Sequence, residues 1–385
     1  MNRVSRTIEG IVLGCVLGCI PAASAGAQTP ALSSDQVRRL NASGFDHFYS
    51  LEYDEAIRIF ERLRDADPAN PYSHHRVALA YFYKQLHSAG VLEGDLFGAS
   101  NKFFRTRKIT VDPVLDRNFH QSNQAAIRLC EERLKRDKAD QPALYTCGTA
   151  YATRAAYQGL IARALLDSMS NARKASGFHT RLIRLNDKYY DAYMVPGLFD
   201  FALGSLPGPL KVVLYLVGMS GEKERGMGLV ESVARWGSGA RYDAQILLTV
   251  MYRREKRFAD ARESLETLAS AFPRNYVFPL EIASIHRAAD ETEEAIEGYE
   301  AVLTRVRQGT PGYQDVPVAR VHFELGDLYR KLDDLESARR HLAQVRGSRG
   351  NTPDLEKESM LLLEQIDEAI RRRQSVEAAV PTAAR

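Results

Sequence analysis

The feature that most constrains this chain is the spacing of apolar and small residues between Ala319 and Thr352. Apolar positions recur three and four residues apart in two successive runs, which is the period of an amphipathic helix. Gly326 and Ala338 are small, so two helix backbones can approach closely there. The stretch therefore predicts a helix pair that needs neighbouring pairs to cover it. The defining positions are His322, Leu325, Gly326, Tyr329, Leu335, Ala338, Leu342 and Val345.

The same spacing recurs upstream with a period of about 34 residues. A loop between Gln308 and Pro317 delays the next copy, because its glycines and prolines cannot continue a helix. The two upstream copies consist of Thr249, Tyr252, Phe258, Ala261, Leu265 and Leu268, followed by Ala283, His286, Thr292, Ala295, Tyr299 and Val302.

These residues and their period resemble the tetratricopeptide repeat family. The resemblance implies an all-α fold, a right-handed α-solenoid of helix pairs over residues 40–352, used for binding rather than for chemistry. A last amphipathic helix at 353–373 is expected to cap the open end of the solenoid. Its acidic start at Asp354 and its arginines at 371–373 suit the helix dipole.

Three successive central units are enlarged between their first and second helices, near residues 88–118, 159–170 and 204–224. A solenoid repeats its geometry, so these insertions are expected to emerge along one edge. The third contains the apolar run Leu210 to Met219, whose surface must be buried. We expect internal packing against Leu160 to Leu166, and an external partner is the alternative. The candidate insertion surface is Leu210, Leu214 and Leu216.

Residues 1–27 have the pattern of an export signal, and 28–39 is predicted to be a flexible N-terminal segment. Arg3 and Arg6 precede an apolar run, and Ala25 to Ala27 form a small-residue cleavage site. The run is too short to span a bilayer. Because Val16 to Cys19 also resembles a bacterial lipobox, acylation of Cys19 is the alternative. Either route predicts an exported bacterial protein, periplasmic or anchored in the membrane facing the periplasm.

The charge balance argues against nucleic acid as a partner. Residues 28–385 contain 50 Lys and Arg against 48 Asp and Glu, compared with 52 and 49 in the whole chain. Phosphate binding requires a clustered basic excess. The Ala- and Pro-containing tail 374–385 is predicted to be disordered.

Cys130 and Cys147 are the only cysteines left after residue 27. They fall in consecutive predicted helices where neighbouring units face each other, so a disulfide is geometrically allowed. The other interpretation is that both are buried apolar side chains, which is common for cysteine.

The sequence carries no motif that assigns catalytic roles. There is no HExxH, GxSxG or phosphate-binding glycine loop, and His74 and His75 are adjacent on a helix, so they point in different directions. We therefore expect no catalytic residues, no metal and no cofactor.

The resemblance instead implies a concave groove formed by the first helices. The family's carboxylate-clamping pattern of paired Lys and Asn is not reproduced. Core packing is the alternative for each aromatic residue. The candidate groove residues are Asn41, Phe45, Tyr49, Tyr72, His75, Arg76 and Leu79 near the start, and Arg320, Glu324, Asp327 and Arg330 in the last unit.

The leading functional interpretation is an exported, non-catalytic scaffold or adaptor that binds a protein or peptide through this groove and the inserted edge. The alternative is a carrier of a hydrophobic small molecule or lipid, with the apolar insertion lining its pocket. Peripheral association with the envelope membrane is a further option. The sequence does not indicate the oligomeric state.

Overall fold

The computed structural model describes residues 32–92, 109–206 and 220–379, with side chains up to Ser375. The predicted signal segment, including Cys19, lies outside these residues, as do Leu210, Leu214 and Leu216. No helix in the described ranges is both long enough and apolar enough to cross a membrane.

The described residues form fifteen α-helices and no β-strand. A π-helical turn, Gln158–Ala162, precedes the sixth, and a 3₁₀ turn, Tyr190–Tyr193, precedes the seventh. The helices are α1 Ser34–Tyr49, α2 Tyr53–Ala66, α3 Pro71–Ser88, α4 Pro113–Arg136, α5 Gln141–Tyr157, α6 Leu165–Leu185, α7 Met194–Gly204, α8 Lys223–Trp236, α9 Arg241–Arg254, α10 Phe258–Ala271, α11 Val277–Ala288, α12 Thr292–Arg307, α13 Val318–Lys331, α14 Leu335–Ala343 and α15 Pro353–Ala379.

Each helix packs on the next one in the chain, so α1 to α14 form seven consecutive pairs and α15 covers the last. This arrangement confirms the predicted all-α solenoid of stacked helix pairs. Ile366 of α15 is buried against Leu335, Ala338 and Leu342, the apolar face that the last pair would otherwise expose.

Small residues mark the tight crossings within pairs, as the spacing predicts. A Cβ built on Gly326 would lie 2.5 Å from Leu342 Cγ, and one on Gly44 would lie 2.5 Å from Phe60 Cε1. In the third pair the residue opposite the glycine is His179, whose Cδ2 would be 1.8 Å from a Cβ on Gly148. The glycines therefore permit helix contact at distances that any side chain would prevent.

The second helices of the enlarged units begin earlier than the periodicity predicts. α4 begins at Pro113 rather than Phe119, because the Asp112 side chain accepts hydrogen bonds from the Val114 and Leu115 amides, and proline suits the first turn. α6 begins at Leu165 rather than Asn171, and with the π-helical turn Gln158–Ala162 it makes most of the 159–170 insertion helical. Ile161 is buried, whereas Leu165 and Leu166 are 63% and 84% exposed.

Both terminal segments contain more helix than predicted. α1 begins at Ser34, inside the segment 28–39, because Ser33 and Gln36 form a reciprocal capping box. α15 continues to Ala379, six residues into the predicted disordered tail. No glycine or proline interrupts the sequence between 374 and 379, so nothing there ends the helix.

Candidate binding site on the inner helix surface

The first helix pair contacts the fifth and sixth pairs directly. The hydroxyl of Tyr49, at the end of α1, donates to Asp243 Oδ1 in the first turn of α9 at 2.9 Å. Asn275 Nδ2, just before α11, donates to the backbone oxygen of Tyr49 at 2.6 Å. Tyr49 is 5% exposed, so it is part of an internal contact and not of an open groove, which corrects that part of the sequence prediction.

An ion-pair cluster supports the same contact. Arg274 Nε donates to Glu52 Oε1 at 2.9 Å, and Arg274 Nη2 donates to Asp46 Oδ2 at 2.8 Å. Hydrogen bonding to Arg274 and His47 lowers the pKa of Glu52, although burial, the largest single influence, opposes the shift. Because these groups are partly exposed, their ion pairs contribute little to the free energy of folding and serve mainly to orient α1.

Aromatic rings fill the space around Tyr49. Its ring lies 4.9 Å from Phe272 and 5.7 Å from Tyr242, centroid to centroid. Phe45 lies 5.1 Å from Phe60 of the second helix and 6.0 Å from Tyr49. Core packing, the alternative considered for the aromatic residues, therefore accounts for much of the Phe45 surface, and Phe45 is half-buried.

The structure brings Asn41 of α1 and Arg76 of α3 together. Arg76 Nη1 donates to Asn41 Oδ1, and Nη2 donates to Ser73 Oγ at 3.1 Å. The guanidinium carbon lies 4.9 Å from the centre of the Tyr72 ring. Arg76 is 5% exposed, and desolvation lowers its pKa. Leu79, one turn further along α3, is partly buried against the main apolar core.

Two buried histidines lie near Arg76. Burial, helped by the charge of Arg76 and by His179, lowers the pKa of His75 to about 3. Burial also lowers the pKa of His179 to about 4, although its Nδ1 lies 2.9 Å from the Ala192 carbonyl oxygen. His75 Nδ1 and His179 Nε2 are both buried without a hydrogen-bond partner among the described residues. Both rings are therefore neutral at physiological pH.

Three half-buried tyrosines, Tyr72, Tyr83 and Tyr145, line the inner surface of α3 and α5. The Tyr72 and Tyr145 ring centroids are 6.1 Å apart, and the Tyr145 ring also lies 5.4 Å from Tyr189. Burial raises the pKa of Tyr72 to about 12, and it also raises the pKa of Tyr145. The described residues provide no hydrogen-bond partner for any of the three hydroxyls.

The opposite side of this surface carries two acids. Burial raises the pKa of Asp243 to about 6, against the hydrogen bond from Tyr49, and the charge of Asp191 raises it further. Asp191 itself accepts from the Ser238, Gly239 and Ala240 amides at 2.9, 2.9 and 3.2 Å. Asp191 thus fixes the segment that leads into α9 by accepting hydrogen bonds from its amides. In the described part of the chain, Asp243 accepts one hydrogen bond, from the Tyr49 hydroxyl.

The candidate residues of the last unit form ion pairs. Arg320 Nε donates to Glu324 Oε1 at 3.0 Å, Arg287 pairs with the other Glu324 oxygen at 2.5 Å, and Arg330 pairs with Asp327 at 2.6 Å. Glu324 is buried, so the pair with Arg287 connects α13 to α11. Only the pair of Arg287 with Glu324 joins two helices, whereas the pairs Arg320–Glu324 and Arg330–Asp327 lie within α13.

Cys130 of α4 and Cys147 of α5 are joined by a disulfide, with Cα atoms 5.7 Å apart. Both residues are fully buried between the second and third helix pairs. Within the described ranges, no group of three or more His, Cys, Asp or Glu side chains is arranged to hold a metal ion.

The inner-surface residues Tyr145, His179, Asp191 and Asp243 did not emerge from the sequence. Tyr145 and Asp243 lie on first helices, so extending the groove register to the third and fifth units would have found them. Asp191 and His179 lie in a 3₁₀ turn and on a second helix, where no repeat position indicates an inner role.

The fold and this surface define an α-solenoid protein with a partly enclosed inner face. Residues 277–348, which contain α11 to α14, match the family model described as tetratricopeptide repeat. The family resemblance inferred from the spacing is thus supported over this segment. A comparison with curated protein sequences finds no match.

Three solved structures are among those to which this chain is similar. The APC/C hetero-tetramer Cut9–Hcn1 is 13% identical over 86% of this chain, with a TM-score of 0.45, and this chain spans half the length of that one. PilW, a type IV pilus biogenesis factor, is 15% identical over 62% of this chain and 91% of its own, with a TM-score of 0.40. A tetratricopeptide repeat protein from Parabacteroides merdae is 12% identical over 85% and 98%, with a TM-score of 0.34.

Proposed function

We propose that this protein is an exported, non-catalytic scaffold or adaptor that binds a protein or peptide partner on its inner helix surface. The observation that carries the proposal is the set of three tyrosine hydroxyls on α3 and α5 that have no partner among the described residues. Tyrosine offers a large apolar contact and a polar end, which suits recognition of polypeptide. An α-solenoid of this type presents such residues along a continuous surface.

The partner segment, helical or extended, lies along α3 and α5 and reaches towards the inserted edge. Tyr49 is excluded as a contact because Tyr242 of α9 and Phe272, just after α10, cover its ring. Phe45 packs on Phe60 and Tyr49 within its own helix pair. Tyr145 is central to the remaining surface, since its ring contacts Tyr72, Tyr189 and His179.

Export is supported by the N-terminal pattern and by the disulfide. Arg3, Arg6 and the small residues Ala25 to Ala27 fit a cleaved signal. Disulfides persist in oxidising compartments such as the periplasm. Protein isolated from the envelope should begin at or near Gln28, or carry an acylated Cys19. Recovery of full-length protein beginning at Met1 from the cytoplasm of native cells would contradict export.

Site-specific photo-cross-linking tests the partner. A photoreactive amino acid at position 145 should give a discrete polypeptide adduct in the native envelope, identified by mass spectrometry. The same group at Ala301, which is exposed on α12, serves as the control. Tyr72→Ala should weaken the adduct at 145. Equal adducts at 145 and 301, or none at 145, would reject the proposal. A lipid-sized adduct in native mass spectrometry would favour the carrier instead.

A further inference from the structure

Trp236, the only tryptophan of the chain, is the last residue of α8 and is 61% exposed. Its ring centroid lies 6.4 Å from that of Tyr190, and the Tyr190 ring lies 6.3 Å from the ring of Tyr193. The ring planes within these two pairs are tilted by 37° and 35°. The Tyr193 hydroxyl donates to the backbone oxygen of Asp187 at 2.9 Å, which fixes that ring. The three rings are therefore neighbours and form one aromatic patch.

Asp191, the residue after Tyr190, joins the two chain segments that carry these rings. It accepts hydrogen bonds from three successive amides, at 238–240, and from the Ser238 hydroxyl at 3.0 Å. Gly237 permits the close approach, because a Cβ on it would lie 2.6 Å from Asp191 Oδ1. The patch is therefore held in place before a partner binds, so binding costs little conformational entropy.

Exposed basic side chains lie on both of these segments. Within 184–190 and 235–241, the exposed charged residues are four cations and one acid, Asp187. None of the four cations forms an ion pair or hydrogen bond through its side chain with the residues that the structure describes. Arg241 begins α9, where the helix dipole disfavours a cation, so helix stability does not explain its charge. The four cations are Arg184, Lys188, Arg235 and Arg241.

We propose that the aromatic patch of Tyr190, Tyr193 and Trp236, together with these four cations, docks on the surface of an anionic lipid bilayer. Tryptophan and tyrosine favour the boundary between acyl chains and headgroups, because their rings are apolar and their polar ends remain hydrated. The cations lie against the lipid phosphates. Leu185, 48% exposed at the end of α6, adds an apolar side chain. This inference goes beyond the polypeptide partner proposed above and shares no residue with that surface.

A bilayer suits this patch better than an acidic protein does. It supplies phosphates at every headgroup and an apolar layer directly beneath them, so the rings and the cations are accommodated together. The other strongly exposed apolar pair, Leu165 and Leu166, lacks this combination. Leu166 lies about 28 Å from Leu185 along α6, and the exposed acid Asp167 follows it in the same turn.

Tryptophan fluorescence of the purified full chain tests the inference, because position 236 is the single source of that emission. The probes are vesicles of phosphatidylglycerol and phosphatidylcholine in equal parts, and vesicles of phosphatidylcholine alone. We expect the anionic vesicles to shift the emission to shorter wavelength and to quench it when their acyl chains carry bromine. Quenching requires the ring to enter the bilayer, so attachment through the N-terminal segment alone does not produce it. Phosphatidylcholine alone should bind at least about tenfold more weakly.

Fluorescence titration of variants with the anionic vesicles separates the contribution of the cations. Arg235→Gln should lower the partition coefficient about fivefold, which is what one cation contributes at such a surface. Adding Arg184→Gln and Lys188→Gln should lower it about a hundredfold in all. Lys357→Gln, an exposed position on α15, and Leu166→Gln are the controls and should leave it unchanged. Circular dichroism establishes that each variant is folded.

Three results would overturn the inference. The first is a tryptophan emission that the anionic vesicles neither shift nor quench, which is the outcome expected if this patch binds a protein instead. The second is equal partitioning into the two kinds of vesicle. The third is a triple variant that partitions like wild type.

Discussion

Tyr49 and Asp243 are 194 positions apart in the chain, yet the Tyr49 hydroxyl donates to Asp243 Oδ1 at 2.9 Å. This hydrogen bond joins the first and fifth helix pairs across the inner surface. Asp243 is half-buried, and the Tyr49 hydroxyl is its one hydrogen-bond partner in the described part of the chain. The bond closes the region that the sequence predicts to be an open groove.

Removal of the Tyr49 hydroxyl should destabilise the protein. Tyr49→Phe removes the one hydrogen-bond donor that the described residues supply to the Asp243 carboxyl, so we expect a loss of about 1 to 3 kcal/mol in the free energy of unfolding at neutral pH. Urea denaturation measures this value. Tyr190→Phe, whose ring is less enclosed, is the matched control and should change little. An unchanged midpoint for Tyr49→Phe would show that the bond is absent in solution.

The stability difference between wild type and Asp243→Asn should depend on pH. The folded-state pKa of Asp243 is about 6, above its ordinary value of 3.8. The folded state therefore holds the proton more tightly, and this contribution to stability is complete below about pH 4 and is lost as the pH rises through about 6. Asparagine does not titrate, so the variant should gain about 3 kcal/mol relative to wild type between these limits.

Denaturation of both proteins at pH 4, 5, 6 and 7 measures this dependence. Other titrating groups are common to the two proteins and cancel in the difference. A difference that stays constant with pH would mean that the Asp243 pKa is not raised.

Ala261 and Ala295 test the repeat register, because both are fully buried. Replacement of either by leucine should overpack a helix crossing and cost about 1 to 3 kcal/mol. Ala301→Leu, at an exposed position of α12, is the control and should be nearly neutral. Thermal unfolding of the three variants measures these effects. If the variants at Ala261 and Ala295 both melted at the wild-type temperature, as the control should, the register would be wrong.

Gly148 and Gly177 should respond in opposite directions to the same substitution. A Cβ on Gly148 would lie 1.8 Å from His179 Cδ2, whereas nothing lies within 4 Å of a Cβ on Gly177. Gly148→Ala should therefore destabilise α5 against α6, and Gly177→Ala should stabilise α6 by about 0.5 to 1 kcal/mol through helix propensity. Adding His179→Ala should restore part of the Gly148→Ala loss. Equal effects at both glycines would contradict the described packing.

The disulfide should contribute to stability in proportion to the loop it closes. Cys130 and Cys147 are 17 residues apart, for which chain-entropy arguments give about 3 kcal/mol. Cys130→Ala with Cys147→Ala removes the bond while leaving two small apolar side chains. Peptide mapping without reducing agent should detect the linked peptides in envelope-derived protein, and free thiols at both positions would exclude the bond there.

The sequence predicts the repeating part of this fold well, because each helix pair is a local unit. The spacing of Gly326 and Ala338 is enough to indicate where α13 and α14 cross. Asp112 and Pro113, a capping residue followed by proline, also indicate the start of α4, whereas the period alone places it at Phe119. Local capping chemistry decides where a helix begins, and the period only approximates it.

The inner site was less predictable, because its residues meet across the curvature of the solenoid. Tyr72 and Arg76 could be assigned to the inner face by register. The contact between Tyr49 and Asp243 joins the first and fifth pairs, and no spacing along the chain indicates which non-adjacent pairs touch. The sequence does not indicate His179, because a buried position of a second helix is usually apolar.

The contact of α1 with α9 and with the residues preceding α11 also affects how the chain unfolds. In a solenoid whose units touch only their neighbours, terminal units can fray one at a time, and the whole behaves as a one-dimensional array. Here the first pair is held by Asp243, Arg274 and Asn275, so it cannot detach without breaking contacts to the fifth and sixth pairs. These contacts make the unfolding of pairs one to six interdependent. Their hydrogen exchange should therefore report a single cooperative opening, and faster exchange should be confined to α13 to α15.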